Sequence, residues 1–510
     1  MNTTIKGEIK MSKLINLKGN NLTKIRNINP GLMSYNVEMT EVTGGTFWKA
    51  YTKAQIAGTE QFPPIKGIQG LQEIMQVYPP INLYDEKLRK LAKAFGPVWV
   101  RVSGTWATKT YYDLENETNG VVPEGYQSIL TKEQWQGVLD FCNAVGAKLL
   151  VSVNNCEGLH KANEPWHPEQ AEKLFRFAKE NGHPIDAAEF MNEPNMLAFS
   201  GAPQGYTGED YRRDQDLFFK WVKENYPKAL CVGPCTVDAG IGKQSGMDTS
   251  GLGGVFGANL STSDLMEGTI VPMDVYSYHY YNGISDRLMS FMPQMHWSPD
   301  ETLSETYLAV APNAALANTI SRDKFCPGAA MWVTESGDAG GGGDSWASTF
   351  MDVFRTLNEL GTFGKITDGI IFHNTLASSA YGFLEHGTFI PRPNYFAVLL
   401  WTMLMGNEVY ESEIALEEGT HVFAHSRKDG KDGLAYLIIN NSKEDETVVN
   451  LPCEADLYLL SAEYSRCEVM KLNGKDLVLD RNDDLPDLTP VKVTDKKVVL
   501  PPETIAFIIL

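Results

Sequence analysis

Eight short apolar runs punctuate the chain: 31–39 (GLMSYNVEM), 97–103 (PVWVRVS), 147–154 (AKLLVSVN), 187–193 (AAEFMNE), 229–235 (ALCVGPC), 273–281 (MDVYSYHYY), 329–336 (AAMWVTES) and 368–376 (DGIIFHNTL). Their apolar character is continuous rather than alternating, which predicts strands covered on both faces, as in a parallel sheet. Between them the period changes to that of helices. Leu88, Leu91, Ala92 and Phe95 form one apolar stripe. A helix is predicted from Thr131, as N-cap, to Gly146, as C-cap, and another from Pro168 in its first turn to Gly182. The fifth run is followed by a glycine-rich stretch and only a weak, short helix.

Eight strands alternating with helices predict an α/β fold, a (β/α)8 TIM barrel with long loops. A doubly wound open sheet competes, but no G-x-G-x-x-G follows any run. After Gly406 the pattern becomes short alternating strands with turn residues, predicting an antiparallel β-sandwich. The N-terminal TTIKGEIKMSKLINL alternates likewise and is expected to join it. The expected organisation is therefore residues 1–28 as strands of the sandwich, 29–406 as the barrel and 407–510 as the sandwich itself.

Charge narrows the partners. Forty-four basic against 64 acidic residues leave a net charge of −20, which repels nucleic acids and anionic membranes, so neither is expected. Seven cysteines lie scattered with no C-x-x-C pair, implying neither a zinc site nor a disulfide framework. The first twenty residues lack the apolar core of a signal peptide and no run of 18 apolar residues occurs, so a soluble, cytoplasmic location is expected. Oligomeric state is not readable.

The tripeptide Asn-Glu-Pro occurs twice, at 163–165 and at 192–194. Barrel chemistry gathers where strands end. Glu193 ends the fourth run, whereas Glu164 lies about ten residues past the third, in a loop. Glu193 is the candidate. Glycoside hydrolysis needs two carboxyl groups, and Glu335, which ends the seventh run three strands away around the ring, meets that need. Asn192 offers an amide suited to a sugar hydroxyl. The sixth run brings Tyr278, His279, Tyr280 and Tyr281 towards the same rim, where a phenol can orient an ionised nucleophile and about half of the rings should pack outward. His279 lacks a companion set of metal ligands such as H-E-x-x-H.

Together, EFMNEPN, SYHYYNG, WVTESGDAGGGG, the second-strand region with its Gly-Thr, and IPRPNYFAVLLW resemble, in family order, glycoside hydrolase family 79 of clan A, the family of heparanase and β-glucuronidases. The resemblance runs from about Gly31 to Gly406. It implies Glu193 as acid/base, Glu335 as nucleophile, Asn192 on the sugar 2-hydroxyl and Tyr280 orienting Glu335. It also implies Glu38 and Thr105 as sugar contacts, with backbone amides of Gly341 and Gly342 and the Tyr395 hydroxyl on a uronate carboxylate. One departure is Gly340, which stands where the family has tyrosine. The implied activity is a retaining, exo-acting β-glucuronidase on a small glycoside or oligosaccharide, needing no cofactor or metal. The alternatives are a clan A β-glycosidase for a neutral sugar of galactose or xylose type, which Gly340 keeps open, and a non-catalytic carbohydrate-binding protein.

Overall fold

The computed structural model describes residues 12–66, 68–237, 260–416 and 418–510. All eight apolar runs become strands of one closed parallel barrel: β1 (Met33–Glu38), β2 (Trp99–Ser103), β3 (Lys148–Ser152), β4 (Ala187–Glu189), β5 (Leu230–Thr236), β6 (Val275–Ile284), β7 (Ala330–Gly340) and β8 (Ile371–His373). Each pairs with its sequence neighbours, and β8 closes on β1. The glycine-rich stretch after β5 falls largely outside the described residues.

Helices cover the barrel, and their ends follow the local chemistry. In the helix Lys132–Val145 the Thr131 hydroxyl accepts from the Gln134 amide while the Gln134 side chain accepts from the Thr131 N–H. Gly146, at φ +72°, then ends that helix in the left-handed region.

The barrel interior has two storeys. Its N-terminal end is plugged by Trp99, Leu150, Ala187, Val232, Val275, Trp332 and Phe372, with Trp99 and Trp332 edge to face at 4.9 Å. Strand residues alternate between the interior and the surrounding helices. Two positions after Trp99 and Ala187 the interior therefore receives Arg101 and Glu189, both fully buried and paired. The plug insulates this charged storey from solvent below and opens it only towards the C-terminal ends of the strands.

The sandwich packs against one side. Its larger sheet joins Lys24–Asn27, Met405–Tyr410, Thr420–Arg427, Leu434–Asn440, Thr504–Ile509 and Ala455–Ser461 in that order. The smaller sheet joins Ser12–Asn16, Glu446–Asn450 and Lys497–Leu500, and Ser12–Asn16 runs parallel to its neighbour. Ile15, Tyr436, Ile438, Val449, Leu500 and Ile508 fill the space between the sheets. The opposite face of the larger sheet, including Phe423, Leu437 and Phe507, merges with the barrel core. There Phe423 lies on Gly361 of the helix Met351–Ile366, where an added Cβ would come within 2.5 Å of the ring. The sandwich is thus a buttress to the helices behind β7 and β8. Among the described residues no helix is long and apolar enough to cross a membrane.

Candidate active site

The charged storey opens into a cavity of about 440 Å³ at the C-terminal ends of the barrel strands. Glu38, Asn192, Glu193, Tyr281, Glu335, Asn374 and Tyr381 line its inner part. Glu164 is exposed in its loop, accepts from the Lys161 amide and is absent from this lining. Trp166 beside it is buried among Phe190, Phe218 and Trp221.

Glu335 reaches the interior because of an irregularity in β7. The register runs Tyr278 to Val333 and then His279 to Glu335, so Thr334 is an extra residue and the alternation flips there. Its carboxylate then accepts from Arg101 Nη1 at 3.0 Å and from the Tyr281 hydroxyl at 2.6 Å. Burial pushes this carboxyl up, but His279, the Arg101 guanidinium and the Tyr281 hydroxyl outweigh it and hold it below the usual carboxylate range. Arg101 is the hub. It also bonds Glu189 through Nε, at 3.1 and 3.0 Å, and the Asn192 side-chain oxygen at 2.7 Å. A buried guanidinium needs such partners, and its planar fork sets their angles.

Glu193 sits just past β4 at φ +43°, a left-handed conformation unusual for a side-chain-bearing residue and further disfavoured before Pro194. Non-glycine residues are held this way chiefly at functional sites. Its Oε1 lies 2.9 Å from His279 Nδ1, which is 3.6 Å from Glu335 Oε2. A proton on that nitrogen faces both acids. The Glu193, His279 and Glu335 ligand atoms all lie within 4.8 Å of one another. Glu193 is the more accessible acid, with 19% of its side chain exposed against 7% for Glu335. These three groups are also a possible cation ligand set, as are Asp286, His296 and Asp344 behind the glycine run; chemistry through two carboxyl groups requires neither.

Two expectations need correction. Tyr280 does not meet Glu335; the neighbouring Tyr281 does. The reason is strand parity: Val275, His279 and Tyr281 point into the barrel, whereas the Tyr276 hydroxyl bonds Asn318 of an outer helix and Tyr280 lies beside Arg355 of another. Tyr395 is also elsewhere, donating to the Leu91 carbonyl and packed on Phe95 outside the cavity. The tyrosine after β8 that lines the cavity is Tyr381, whose hydroxyl accepts from Asn374 at 3.2 Å.

Of the remaining expected positions, Glu38, Thr105, Asn192 and Gly341 line the cavity and Gly342 does not. Thr105 lines it, and Gly104 is required beside it, because an added Cβ would fall 1.6 Å from Glu38 Oε2. Burial first, then repulsion from Glu335, raises the Glu38 carboxyl well above its ordinary value. Gly341 lines the cavity, whereas Gly342 packs on Trp48 and Arg287. The carbonyls of this run are all engaged: Gly340 by Ser285 N–H, Gly341 by Ser285 Oγ and Arg287, Gly342 by Ala380 N–H, Gly343 by Tyr51 and Arg287. With φ between +77° and +90° at positions 341–343, the peptides turn their oxygens into the protein. The Gly343 N–H is also engaged, on the Ala339 carbonyl, and the Asp344 N–H on Asp338, which leaves Gly341 as the member of 341–343 at the cavity wall. Of the cations on loops around the barrel mouth, Lys109 lines the cavity, Lys161 pairs with Glu157, and Arg287 and Arg392 are spent on backbone carbonyls.

Tyr281→Phe should isolate one of these contacts. It removes a hydrogen bond to an ionised group, and a loss of about tenfold to hundredfold in kcat is expected. The pH profile gives the sign. The Tyr281 hydroxyl helps to hold the Glu335 carboxyl low, so without it protonation sets in earlier and the acidic limb of kcat/KM moves to higher pH. An unmoved limb would mean that Tyr281 does not stabilise the ionised form.

Comparison with known proteins agrees with this architecture. Residues 79–361 match the family model described as glycosyl hydrolase family 79, N-terminal domain. Heparanase-like protein 1 of Arabidopsis thaliana is 26% identical, covering 83% of this chain and 83% of its own length. Baicalin-beta-D-glucuronidase of Scutellaria baicalensis is 24% identical, covering 82% and 81%. The crystal structure of a 4-O-alpha-L-rhamnosyl-beta-D-glucuronidase from Fusarium oxysporum has the same fold, with a TM-score of 0.59 at 13% identity over 98% of this chain and all of that one.

Proposed function

The chain belongs to glycoside hydrolase family 79, and from that premise we propose that it is a retaining, exo-acting β-glucuronidase that removes a terminal β-linked glucuronic acid by double displacement. The observation that carries this reading is the pairing of two unlike carboxyl groups. One oxygen of each lies within 4.8 Å of one of the other, a close approach in keeping with the roughly 5–5.5 Å between carboxyl groups of retaining enzymes rather than the about 6.5–9.5 Å of inverting ones.

Glu335, held ionised by its neighbours, attacks the anomeric carbon while Glu193 gives its proton to the departing oxygen. Glu193 then takes a proton from water, which displaces Glu335 and releases the sugar with net retention. Asn192 hydrogen-bonds the 2-hydroxyl with the amide end left free, because Arg101 occupies its oxygen. Glu38 and Thr105 serve the other hydroxyls. The Gly341 amide and the Tyr381 hydroxyl, both at the cavity wall, supply donors to the uronate carboxylate. The relative named baicalin-beta-D-glucuronidase supports the sugar; Gly340 at the cavity wall favours a neutral sugar as the second reading.

A panel of 4-nitrophenyl β-glycosides tests both. Turnover of the glucuronide with at most trace activity on the galactoside and xyloside is expected, and NMR should show β-glucuronic acid as the first product before mutarotation. The α-anomer appearing first would sink the mechanism; preference for a neutral glycoside would sink the sugar.

A further inference from the structure

The cavity has an outer part, formed by loops, beyond the inner residues named above. Beyond Glu193 its walls are Phe47, Trp48 and Met75 from the hairpin Gly45–Trp48/Met75–Tyr78, Trp106 from the loop after β2, and Met292 and Met295 from the segment after β6. Phe47 packs edge to face on Trp106 at 5.0 Å, so the hairpin and the β2 loop form one aromatic wall. All three acids of the lining, Glu38, Glu193 and Glu335, belong to the inner half. Among the described residues Lys109 is the one cation of the lining and no arginine faces the cavity.

Direction follows from the proton. The acid must lie beside the leaving oxygen, Glu193 is the more exposed of the pair, and the departing group therefore extends past Glu193 into this apolar half. Resting on the β-glucuronidase reading above, we propose that the outer half is a leaving-group site for a bulky apolar or aromatic alcohol. The substrates would then be glucuronide conjugates of such alcohols and not polysaccharide chains. Among the described residues a sulfated glycan would meet one lysine where it needs several cations. An unsulfated sugar could stack a C–H face on Trp48 or Trp106, but its hydroxyls would then meet Met75, Met292 and Met295, which offer them no good partners. A flat hydrocarbon body gains from burial against the same groups. Methionine side chains let the wall fit more than one such shape. The whole volume lies in the range of sites for drug-sized molecules, large enough for a sugar plus a ring system.

The test compares substrates whose leaving alkoxides are similarly poor, so that chemistry does not mask binding. kcat/KM is measured on the full chain for methyl β-D-glucuronide, 2-phenylethyl β-D-glucuronide and the disaccharide of β-glucuronic acid on N-acetylglucosamine. The phenylethyl conjugate is expected to exceed the methyl one by about tenfold to hundredfold, with the disaccharide close to methyl. A phenylethyl value within about twofold of methyl, or a disaccharide above phenylethyl, overturns the proposal. Trp106→Ala and Phe47→Ser should each narrow the phenylethyl-to-methyl ratio. An unaltered ratio in both folded variants overturns the location. If only glycosides of a neutral sugar turn over, the sugar assignment fails, and the same ratio measured on that sugar still decides the leaving-group site.

Discussion

Glu335→Gln should lower kcat by at least about four orders of magnitude. The amide keeps the shape of the side chain but has no charge with which to attack the anomeric carbon, and among the described residues the other acids of the lining are Glu38 and Glu193. Glu189 is tied to Arg101 at the bottom of the charged storey and is fully buried. Burial and Glu335 itself disfavour the charged form of Glu38, raising its carboxyl well above the ordinary value. The fold should survive, since Arg101 retains Glu189 and Asn192 as partners. Glu335→Ala makes the stronger test, because it opens space where the nucleophile stood. Azide in millimolar amounts should enter there, attack an activated aryl glycoside and give the α-glycosyl azide, with inverted configuration. A folded Glu335→Gln variant that kept a tenth of the wild-type rate would remove this residue from the mechanism.

Much of this was legible in the chain. The eight apolar runs became the barrel because strands buried on both faces must be apolar on both, and nothing else in the chain repeats with that spacing. Glu193 and Glu335 were found because strand ends carry chemistry. What stayed hidden was which side of a strand faces inward. Tyr280 and Tyr281 are adjacent rings in a run of four, and only the parity counted from Val275 separates them. That count was available. The flip at Thr334 was not, since no residue type marks a bulge between two strands buried on both faces.

Arg101 is a different case. It stands in the middle of an apolar run, and a guanidinium there must be paired by acids on neighbouring strands. The same holds for Glu189, so the two together signal a charged interior before any coordinates are known. Tyr381 and Asn374 carried no comparable mark. They lie in the loop after β8, and they reach Tyr281 because that loop folds back over the barrel mouth, with Ala380 N–H bonded to the Gly342 carbonyl.

Glu193→Ala should separate substrates by how much help their leaving groups need. A dinitrophenolate departs without protonation, so formation of the glycosyl-enzyme continues and its hydrolysis, now lacking a base, becomes rate-limiting. An early burst of phenolate should precede a slow steady state. An alkyl glucuronide cannot leave without the proton, and its kcat/KM should fall by about two to four orders of magnitude. Azide needs no base. It should therefore speed turnover of the dinitrophenyl substrate and capture the intermediate from the side that Glu193 occupied, giving the β-glycosyl azide with retained configuration. That product is opposite to the one expected from Glu335→Ala, and the pair of outcomes assigns the two acids to opposite faces of the sugar. His279 bonds Glu193 at 2.9 Å but lies 3.6 Å from Glu335, and could relay a proton in the variant. If it did, the alkyl glucuronide would keep most of its rate and no burst would appear, and the acid/base role would pass from Glu193 to the imidazole.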